Sequence, residues 1–454
     1  MQPPYPRAAY AWYVVALLIV GYVVAFIDRG ILALLIEPIK LDLALTDTQM
    51  SWLMGPAFGV FYVTLGIPIG VLADRYSRRN IIIAGIVLWC LATAACGLAD
   101  SFAELFAARV MVGVGEATLA PAALSIISDY FPRDRALRAV GLFNMGQSVG
   151  AGLAFLLGGQ VILWVTASDG IDWPVLSELA PWQLTFILVG LPGLLVALLM
   201  LTVKEPVRRG FLQADSRAGI ASAQAQGLRA ALAFMRSNSR AFAALMAGNA
   251  TITIIGYSFF WVPSMYARTW NMEPATAGIW YGIVLATTGP LGVIVGSQWS
   301  SRRYARGESD APFSILVIAL CLAIPFSLAM TMAPSAAASI ALLAPAIFGL
   351  AAASATSTAA VIHVAPAQFR SKISAIHLLV ISLAGLFLGP TSVAVLTDKV
   401  FADPLALRWS MLCVVAAVGT FGVLALLSAR RAYRQLALEA DQWHRVKVGD
   451  SQSS

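Results

Sequence analysis

Apolar residues follow one another in long blocks along this chain, and short polar segments separate the blocks. Each block holds the roughly 20 residues that a helix needs to cross a hydrocarbon layer about 30 Å thick. The pattern predicts an all-α integral membrane protein with twelve transmembrane helices. The predicted spans are 10–36, 48–73, 80–99, 102–128, 137–165, 182–203, 239–267, 275–300, 312–332, 336–363, 372–397 and 405–429. The first span is too long for a cleaved signal peptide and contains Asp28 and Arg29, so we expect a retained helix.

Basic residues are concentrated in alternate loops. The loops after even-numbered spans and the tail hold most of them: Arg75, Arg78, Arg79, Arg133, Arg135, Arg138, Lys204, Arg208, Arg209, Arg302, Arg303, Arg306, Arg370, Lys372, Arg430, Arg431 and Arg434. The opposite loops hold only Lys40, Arg268, Lys399 and Arg408. The positive-inside rule therefore predicts a multi-pass protein of the plasma (inner) membrane with both termini in the cytoplasm. The net charge of +7 then reflects topology and contact with anionic membrane lipid, and nucleic acid is not an expected partner.

The composition agrees with this class. Hydrophobic residues make up 59% of the chain, charged residues make up 12%, and the mean hydropathy is +0.80. The four cysteines lie in apolar segments away from the three histidines, so we expect no disulfide, no metal and no cofactor. Zinc-protease and nucleotide-loop motifs are lacking, so neither an enzyme nor an ATP-driven pump is expected.

The two halves of the chain resemble each other. The sequence GVLADRYSRR follows the second span at 70–79, and GSQWSSRR follows the eighth span at 296–303. This repeat predicts a six-helix bundle at 1–203, a cytoplasmic linker at 204–238, a second bundle at 239–429 and a cytoplasmic tail at 430–454. Six-helix repeats are a recurring transporter architecture with the substrate site between the halves.

The 70–79 stretch resembles the cytoplasmic signature of the major facilitator superfamily, G-x-x-x-D-R-x-G-R-R, and departs from it at Ser77. The resemblance implies two pseudo-symmetric six-helix halves that rock about a central site, usually in a monomer. Asp74, Arg75, Arg78 and Arg79 are then a candidate cytoplasmic latch between the halves. The alternative is a basic loop that only fixes the topology.

Four charged residues interrupt apolar spans: Asp28 and Arg29 in the first, and Arg109 and Glu116 in the fourth. A charge at mid-membrane costs about 2.5–3.5 kcal/mol on insertion scales, so such residues usually serve a function inside the bundle. Two helical turns separate Arg109 from Glu116, which places them on one face about 10 Å apart. We expect one network in which protonation of Asp28 or Glu116 releases Arg29 or Arg109 to hold an anion. Static ion pairs that fix helix packing are the alternative.

The pair Asp28–Arg29 together with R-x-x-x-G-x-x-E at 109–116 resembles two groups of the superfamily. One is the Spinster group, whose animal members move lysophospholipids and sphingosine phosphate, and the other comprises proton symporters of sugar acids and related carboxylates. The sequence VGVGEA at 112–117 is more similar to Spinster. The resemblance implies a proton-coupled transporter of an amphipathic anion, with a sugar-acid symporter or a drug-type proton antiporter as alternatives. Symport and antiport stay open.

Polar and aromatic residues in the second half are candidates for the substrate cavity. They are Asn249, Thr253, Tyr257 and Trp261 in the seventh span and His377 in the eleventh. Tyrosine and tryptophan suit a head group or an acyl stem, and histidine can carry protons. The alternative role for these residues is hydrogen bonding between helices and packing. A receptor or sensor that binds without transport is the rival class, and the charged network argues against it.

Overall fold

The computed structural model describes residues 5–167, 179–208, 217–366 and 368–449, and these residues form helices and no β-strand. Ten helices precede the linker: α1 Ala8–Leu34, α2 Ile36–Asp42, α3 Asp47–Met54, α4 Pro56–Arg75, α5 Arg78–Cys96, α6 Phe102–Glu116, α7 Leu119–Tyr130, α8 Arg133–Ala167, α9 Pro181–Gly190 and α10 Gly193–Met200. Nine more follow: α11 Arg217–Ser237, α12 Ser239–Ser258, α13 Val262–Trp270, α14 Pro274–Ala305, α15 Ala311–Thr331, α16 Ala336–Val364, α17 Arg370–Leu383, α18 Gly389–Val395 and α19 Leu407–Gly449.

The predicted membrane spans correspond to these helices. Eleven helical segments of the described chain are long and apolar enough to cross a membrane. The remaining predicted span, 48–73, coincides with α3 and α4, and α4 alone has 20 residues, which give a length of about 30 Å. The chain is therefore all-α and has twelve transmembrane segments, as the sequence predicted.

Several predicted spans contain an irregularity in the α-helical backbone. The second span breaks at Gly55, immediately before Pro56. The fourth breaks after Glu116, where Pro121 cannot donate to the carbonyl four residues earlier. The eleventh contains two π-helical turns, Ala384–Leu388 and Leu396–Phe401, on either side of α18. The first two breaks divide the second span into α3 and α4 and the fourth span into α6 and α7, and the π-helical turns leave α18 as a short helix.

The last helix continues well past the predicted membrane boundary at residue 429. Helix α19 runs to Gly449, so the predicted tail is helical over 430–449. Tyr433, Ala437 and Ala440 are fully buried in this extension, and the Tyr433 ring stacks on Phe313 at a centroid distance of 4.4 Å. Packing against α15 therefore supports the helix beyond the apolar span.

Contacts divide the chain into two compact units. The first comprises Met1–Gly210, Ser258–Thr287 and Pro390–Ser410, and the second comprises Phe211–Tyr257, Thr288–Gly389 and Met411–Ser454. The first unit thus contains parts of the predicted second half. They are α13, the first part of α14 as far as Thr287, and the segment Pro390–Ser410, which includes most of α18. The division of the sequence into repeats at 203 and 239 stays a prediction.

Close helix contacts in each unit depend on small residues. In the first unit, a Cβ atom added at Gly115 would lie 2.8 Å from the backbone nitrogen of Trp89, a fully buried residue of α5. In the second unit, a Cβ atom added at Gly349 would lie 2.9 Å from the carbonyl oxygen of Ala319. Glycine at these positions lets helix backbones approach, which is how helices associate in a membrane.

Candidate substrate and proton site

A buried ion pair joins α1 to the last residue of α6. Arg29 Nε donates to Glu116 Oε2 at 2.5 Å, and the Arg29 side chain is 12% exposed while that of Glu116 is fully buried. Three aromatic rings surround the guanidinium, because its Cζ lies 4.9 Å from the Phe26 ring centroid, 4.7 Å from that of Phe58 and 4.5 Å from that of Tyr62. Cation–π contacts of this kind stabilise a desolvated guanidinium by about 2 kcal/mol. Arg29 is thus held by one carboxylate and a ring of aromatic side chains.

Asp28 lies beside this pair and is completely buried. Within the described part of the chain, no hydrogen bond of standard geometry reaches either of its carboxylate oxygens. Its charged neighbours are Glu116, Arg109 and Arg29, and the Thr93 hydroxyl also interacts with its carboxylate. A buried carboxylate without an ion-pair partner is costly in its charged form, since one neutral hydroxyl offsets little of the desolvation.

Arg109 is fully buried as well, yet its hydrogen bonds go to the backbone. Its Nη1 donates to the carbonyl oxygen of Asp28 at 3.2 Å, and its Nε donates to the carbonyl oxygen of Leu53 at 3.4 Å. The Cζ atom lies 5.8 Å from the Phe58 ring centroid. Its positive charge is therefore satisfied by carbonyl dipoles and an aromatic face, and no ion pair of Arg109 is found among the described residues.

Gly113 explains how Phe58 reaches both arginines. A Cβ atom added at Gly113 would lie only 2.4 Å from the Phe58 carbonyl oxygen, which is far inside van der Waals contact. The α4 backbone therefore crosses α6 directly over Gly113, between Arg109 and Glu116 in sequence. The structure thus brings together all four charged residues that the sequence predicted to form one network, and all four belong to the first unit.

Four of the candidate cavity residues of the second half make contacts between α12 and the eleventh span. Asn249 Nδ2 and His377 Nε2 lie 2.9 Å apart, and both side chains are buried. Thr253 Oγ1 donates to the Ile381 carbonyl oxygen at 3.0 Å, and Tyr257 packs so close to Gly385 that a Cβ atom there would lie 2.8 Å from its ring. These four belong to the second unit. Their hydrogen bonds join α12 to α17, and a role in substrate binding stays a prediction.

Trp261 belongs instead to the first unit and is completely buried. Its indole Nε1 donates to the carbonyl oxygen of Pro390 at 3.0 Å. The hydrogen bond joins the turn before α13 to the first turn of α18.

At the basic end of the first unit, Arg78 is the buried centre of the predicted latch segment. It forms ion pairs with Asp129 and, at 2.8 Å, with Glu205 Oε1. The Arg79 backbone N–H donates to Glu205 Oε2 at 3.0 Å, and Arg75 is exposed. The Asp74 side chain is outside the described residues. The described partners of Arg78 lie in the first unit, in the first predicted half and the start of the linker, so a latch between the halves stays a prediction.

Sequence reasoning missed Asp129 and Glu205. Each is an acidic residue just after a predicted apolar span and close to basic residues, and that position is the signal that could have pointed to them. The hydrogen bonds determine how Glu205 titrates. Burial alone raises the pKa of this carboxyl group, but the bonds from the Arg79 N–H, the Arg78 side chain and the Ser77 hydroxyl outweigh burial and lower its pKa.

A second cluster of charges, which we call the outer cluster, lies at the opposite end of the first unit and consists of Glu37, Lys40, Asp47, Arg268 and Asp398. Arg268 makes a two-pronged contact with Asp47, with Nη1–Oδ2 and Nη2–Oδ1 distances of 2.6 and 2.7 Å, and its Nε donates to Glu37 Oε1 at 2.9 Å. Lys40 also donates to Asp47, which is fully buried. Burial raises the pKa of Asp47, but the bonds from Arg268 and Lys40 outweigh it and lower the pKa.

The fold and the charged site define a membrane transporter. The model of the Major Facilitator Superfamily matches residues 18–390, and the chain belongs to this superfamily. Within it, the chain is Spinster-like in sequence and in fold.

Two relatives illustrate the range of similar proteins. The chain is 26% identical to an MFS-type efflux pump of Mycolicibacterium smegmatis over 94% of its own length and 95% of the pump. It is 27% identical to the Protein spinster of Drosophila melanogaster over 68% of its own length. That match spans 49% of the Drosophila protein.

A solved structure shows the same architecture. It is the crystal structure of a bacterial homolog to the human lysosomal transporter Spinster, in an inward-facing and unoccupied conformation. The chain superimposes on it with a TM-score of 0.77 and 26% identity, over 96% of this chain and 99% of that one. The arrangement of twelve helices in two pseudo-symmetric halves is therefore that of the superfamily.

Proposed function

We propose that this protein is a proton-coupled secondary transporter of an amphipathic anion, a lysophospholipid or a sphingolipid-like molecule, and that it works by alternating access. The observation that carries the proposal is the contrast between two buried acids. Glu116 is paired with Arg29, whereas the Asp28 carboxylate beside it forms no ion pair in the described structure and has the neutral Thr93 hydroxyl as a neighbour. Transport is common to the superfamily, and the proton and the lipid are the parts that we propose.

Asp28 is the proposed proton-binding residue. In a fully buried site where no cation pairs with the carboxylate, desolvation favours the neutral acid, so this conformation favours a bound proton. A conformation that lets water or a guanidinium reach Asp28 would favour the charged form. A proton would thus bind and leave as the protein alternates between conformations.

Arg29 is the proposed anion-binding residue. It is the more accessible of the two arginines, and it pairs with Glu116. An anionic head group that pairs with Arg29 would leave Glu116 buried without its cation, and protonation of Glu116 would relieve that cost. Anion binding at Arg29 and proton binding at Glu116 therefore support each other in this mechanism.

The surroundings of Arg29 suit a substrate with an apolar portion. Phe26 and Tyr62 are only half-buried, and together with Phe58 they place aromatic faces around the guanidinium. An acyl stem can pack on such rings while the head group binds the charge. A sugar acid would need more hydrogen-bonding groups than these three rings provide, and the sequence resemblance to Spinster supports the lipid class.

The proposed cycle uses two six-helix halves, 1–203 and 239–429, that rock about the site, with the latch segment around Arg78 at the cytoplasmic end. We also propose that the protein acts as a monomer in the plasma (inner) membrane with both termini in the cytoplasm. The concentration of basic residues in one set of loops supports this orientation.

Flux in proteoliposomes tests the proposal. Uptake of a fluorescent lysophospholipid is measured with and without an inward proton gradient for the wild type, for Asp28→Asn, and for Asp100→Asn as a matched control on an exposed loop. Flux that depends on the gradient and is lost only in Asp28→Asn supports the proposal. Uptake of a hexuronic acid instead of the lipid would identify the sugar-acid alternative, and gradient-driven extrusion of a cationic dye would identify a drug-type antiporter.

A further inference from the structure

Helix α3 extends from the outer cluster to the charged site. It has eight residues, Asp47–Met54, and therefore a length of about 12 Å. Thr46 caps its start through a reciprocal bond pattern with Gln49, and Gly55 ends it with a backbone conformation outside the helical range. Met50 and Leu53 are completely buried. A short helix with fixed ends and a packed face moves as a rigid body more readily than it bends.

The first turn of α3 is held by residues distant in sequence. Arg268 at the end of α13 binds the Asp47 carboxylate with two hydrogen bonds. Asp398, in the turn after α18, accepts from both the backbone N–H and the hydroxyl of Thr48, at 2.6 and 2.7 Å. These contacts lie within the first unit. They connect the start of the second predicted span to the outer ends of the seventh and eleventh.

The last turn of α3 is held by the charged site. The Leu53 carbonyl oxygen accepts the Nε–H of Arg109 at 3.4 Å, which is close to the limit for a hydrogen bond. A shift of α3 by about 1 Å away from α6 would therefore break this contact. Arg109 would then be able to direct its Nε–H to another acceptor, such as a carboxylate.

We propose that Asp47 and Arg268 are positioning residues of the transport cycle, which hold α3 so that the Leu53 carbonyl retains Arg109 while the outer end is closed. Separation of the Asp47–Arg268 contact would let α3 shift and would release Arg109 at the same time. Packed interfaces of this kind have two discrete arrangements, so a small shift at one end changes the other. The inference rests on the proposed function, because it assigns these residues a part in alternating access.

The test measures how accessible α3 is from outside, and it requires no substrate. Ser51 lies on α3 between the two ends, is completely buried, and its hydroxyl donates to the Thr48 carbonyl oxygen at 2.7 Å. Ser51→Cys, in a protein whose four native cysteines are serine, is labelled from outside with a membrane-impermeant maleimide. We expect Arg268→Gln and Asp47→Asn to raise the labelling rate about tenfold, because each weakens the closed state. Lys399→Gln, an exposed cation at the same end, serves as the control and should leave the rate unchanged.

The connection between the two ends is tested by a double-mutant cycle. Arg109→Lys keeps the charge and removes the Nε–H that binds Leu53, and it should by itself raise labelling at position 51. In the double variant Arg109→Lys with Arg268→Gln, the increase in the labelling rate should be smaller than the product of the increases in the two single variants, by more than about threefold. Unchanged labelling in Arg109→Lys, or multiplicative effects, would overturn the inference.

A charge exchange covers the case in which single variants fold poorly. Asp47→Arg combined with Arg268→Asp, with Lys40→Gln and Glu37→Gln introduced so that neither exchanged residue faces a like charge, should restore slow labelling, and fast labelling in that variant counts against the inference. Since the labelling needs no flux, a failure of the lipid assay leaves this result interpretable. The two proposals can therefore fail separately.

Discussion

Arg109 Nη1 donates a hydrogen bond to the backbone carbonyl oxygen of Asp28 at 3.2 Å, and Arg109 donates none to the Asp28 carboxylate. In the described part of the chain the carboxylate oxygens of Asp28 accept no hydrogen bond of standard geometry and form no ion pair, and the neutral Thr93 hydroxyl is a neighbour. Two fully buried groups of opposite charge are thus neighbours without forming an ion pair. That arrangement leaves the acid able to bind a proton.

Asp28→Asn is expected to separate transport from folding. The amide has the size of the acid and stays neutral, so thermal stability in detergent should equal or exceed that of the wild type. Gradient-driven flux should fall at least about tenfold, because no proton can be bound or released at this position. Equal flux in the wild type and Asp28→Asn across a pH gradient would remove Asp28 from the coupling mechanism.

Glu116→Gln is expected to lower stability, because it removes the carboxylate that pairs with Arg29. Loss of one member of a buried pair costs about 3–5 kcal/mol, and here the three rings around Arg29 should reduce the loss. The double variant Arg29→Met with Glu116→Leu should regain most of the stability and should not transport. Unfolding temperatures of the two single variants and the double variant measure this. A double variant that is no more stable than Glu116→Gln would contradict the expectation.

Gly113→Ala is expected to disturb the crossing of α4 over α6. The new Cβ would lie 2.4 Å from a backbone carbonyl oxygen, which cannot rotate away, so helices must separate at a cost of about 1–3 kcal/mol. Flux should fall with stability, because Phe58 contacts both arginines. Gly256→Ala is the matched control, since a Cβ there meets no described atom within 4 Å and alanine favours a helix. Similar unfolding temperatures for the two variants would show that α4 adapts.

The sequence alone predicted the membrane spans and the grouping of four charged residues. Apolar blocks of helical length establish the spans, and the seven-residue spacing places Arg109 and Glu116 on one face, toward the pair in α1. The bonding within the group could not be predicted. Arg109 binds a carbonyl of Leu53 that is positioned by the break at Gly55, and no periodic pattern encodes which backbone acceptor a buried arginine will find.

The outer cluster was out of reach of sequence reasoning for a different reason. Arg268 binds Asp47 across 221 positions and Glu37 across 231, and Thr48 binds Asp398 across 350. From the sequence alone, charged residues in loops indicate the topology of the chain and not which residues pair. Their pairing depends on how the outer ends of helices from both predicted halves come together in one unit, which is a tertiary property.

The Glu205 network is expected to make stability depend on acid pH in a specific direction. The pKa of Glu205 is lowered in the folded protein by hydrogen bonds from the Arg79 N–H, the Arg78 side chain and the Ser77 hydroxyl, which outweigh burial. A folded-state pKa below the unfolded value of about 4.3 contributes stability that is fully present above that value and is lost as the pH falls through the folded pKa.

Thermal unfolding of the wild type and Glu205→Gln at a series of pH values measures this. The difference between them should be largest at neutral pH and should shrink below about pH 4, since the protonated acid and the amide then resemble each other. Asp100→Asn, on an exposed loop, controls for the loss of one carboxylate. A difference between wild type and Glu205→Gln that stays constant from neutral to acid pH would mean that Glu205 supports the fold through shape and not through its charge.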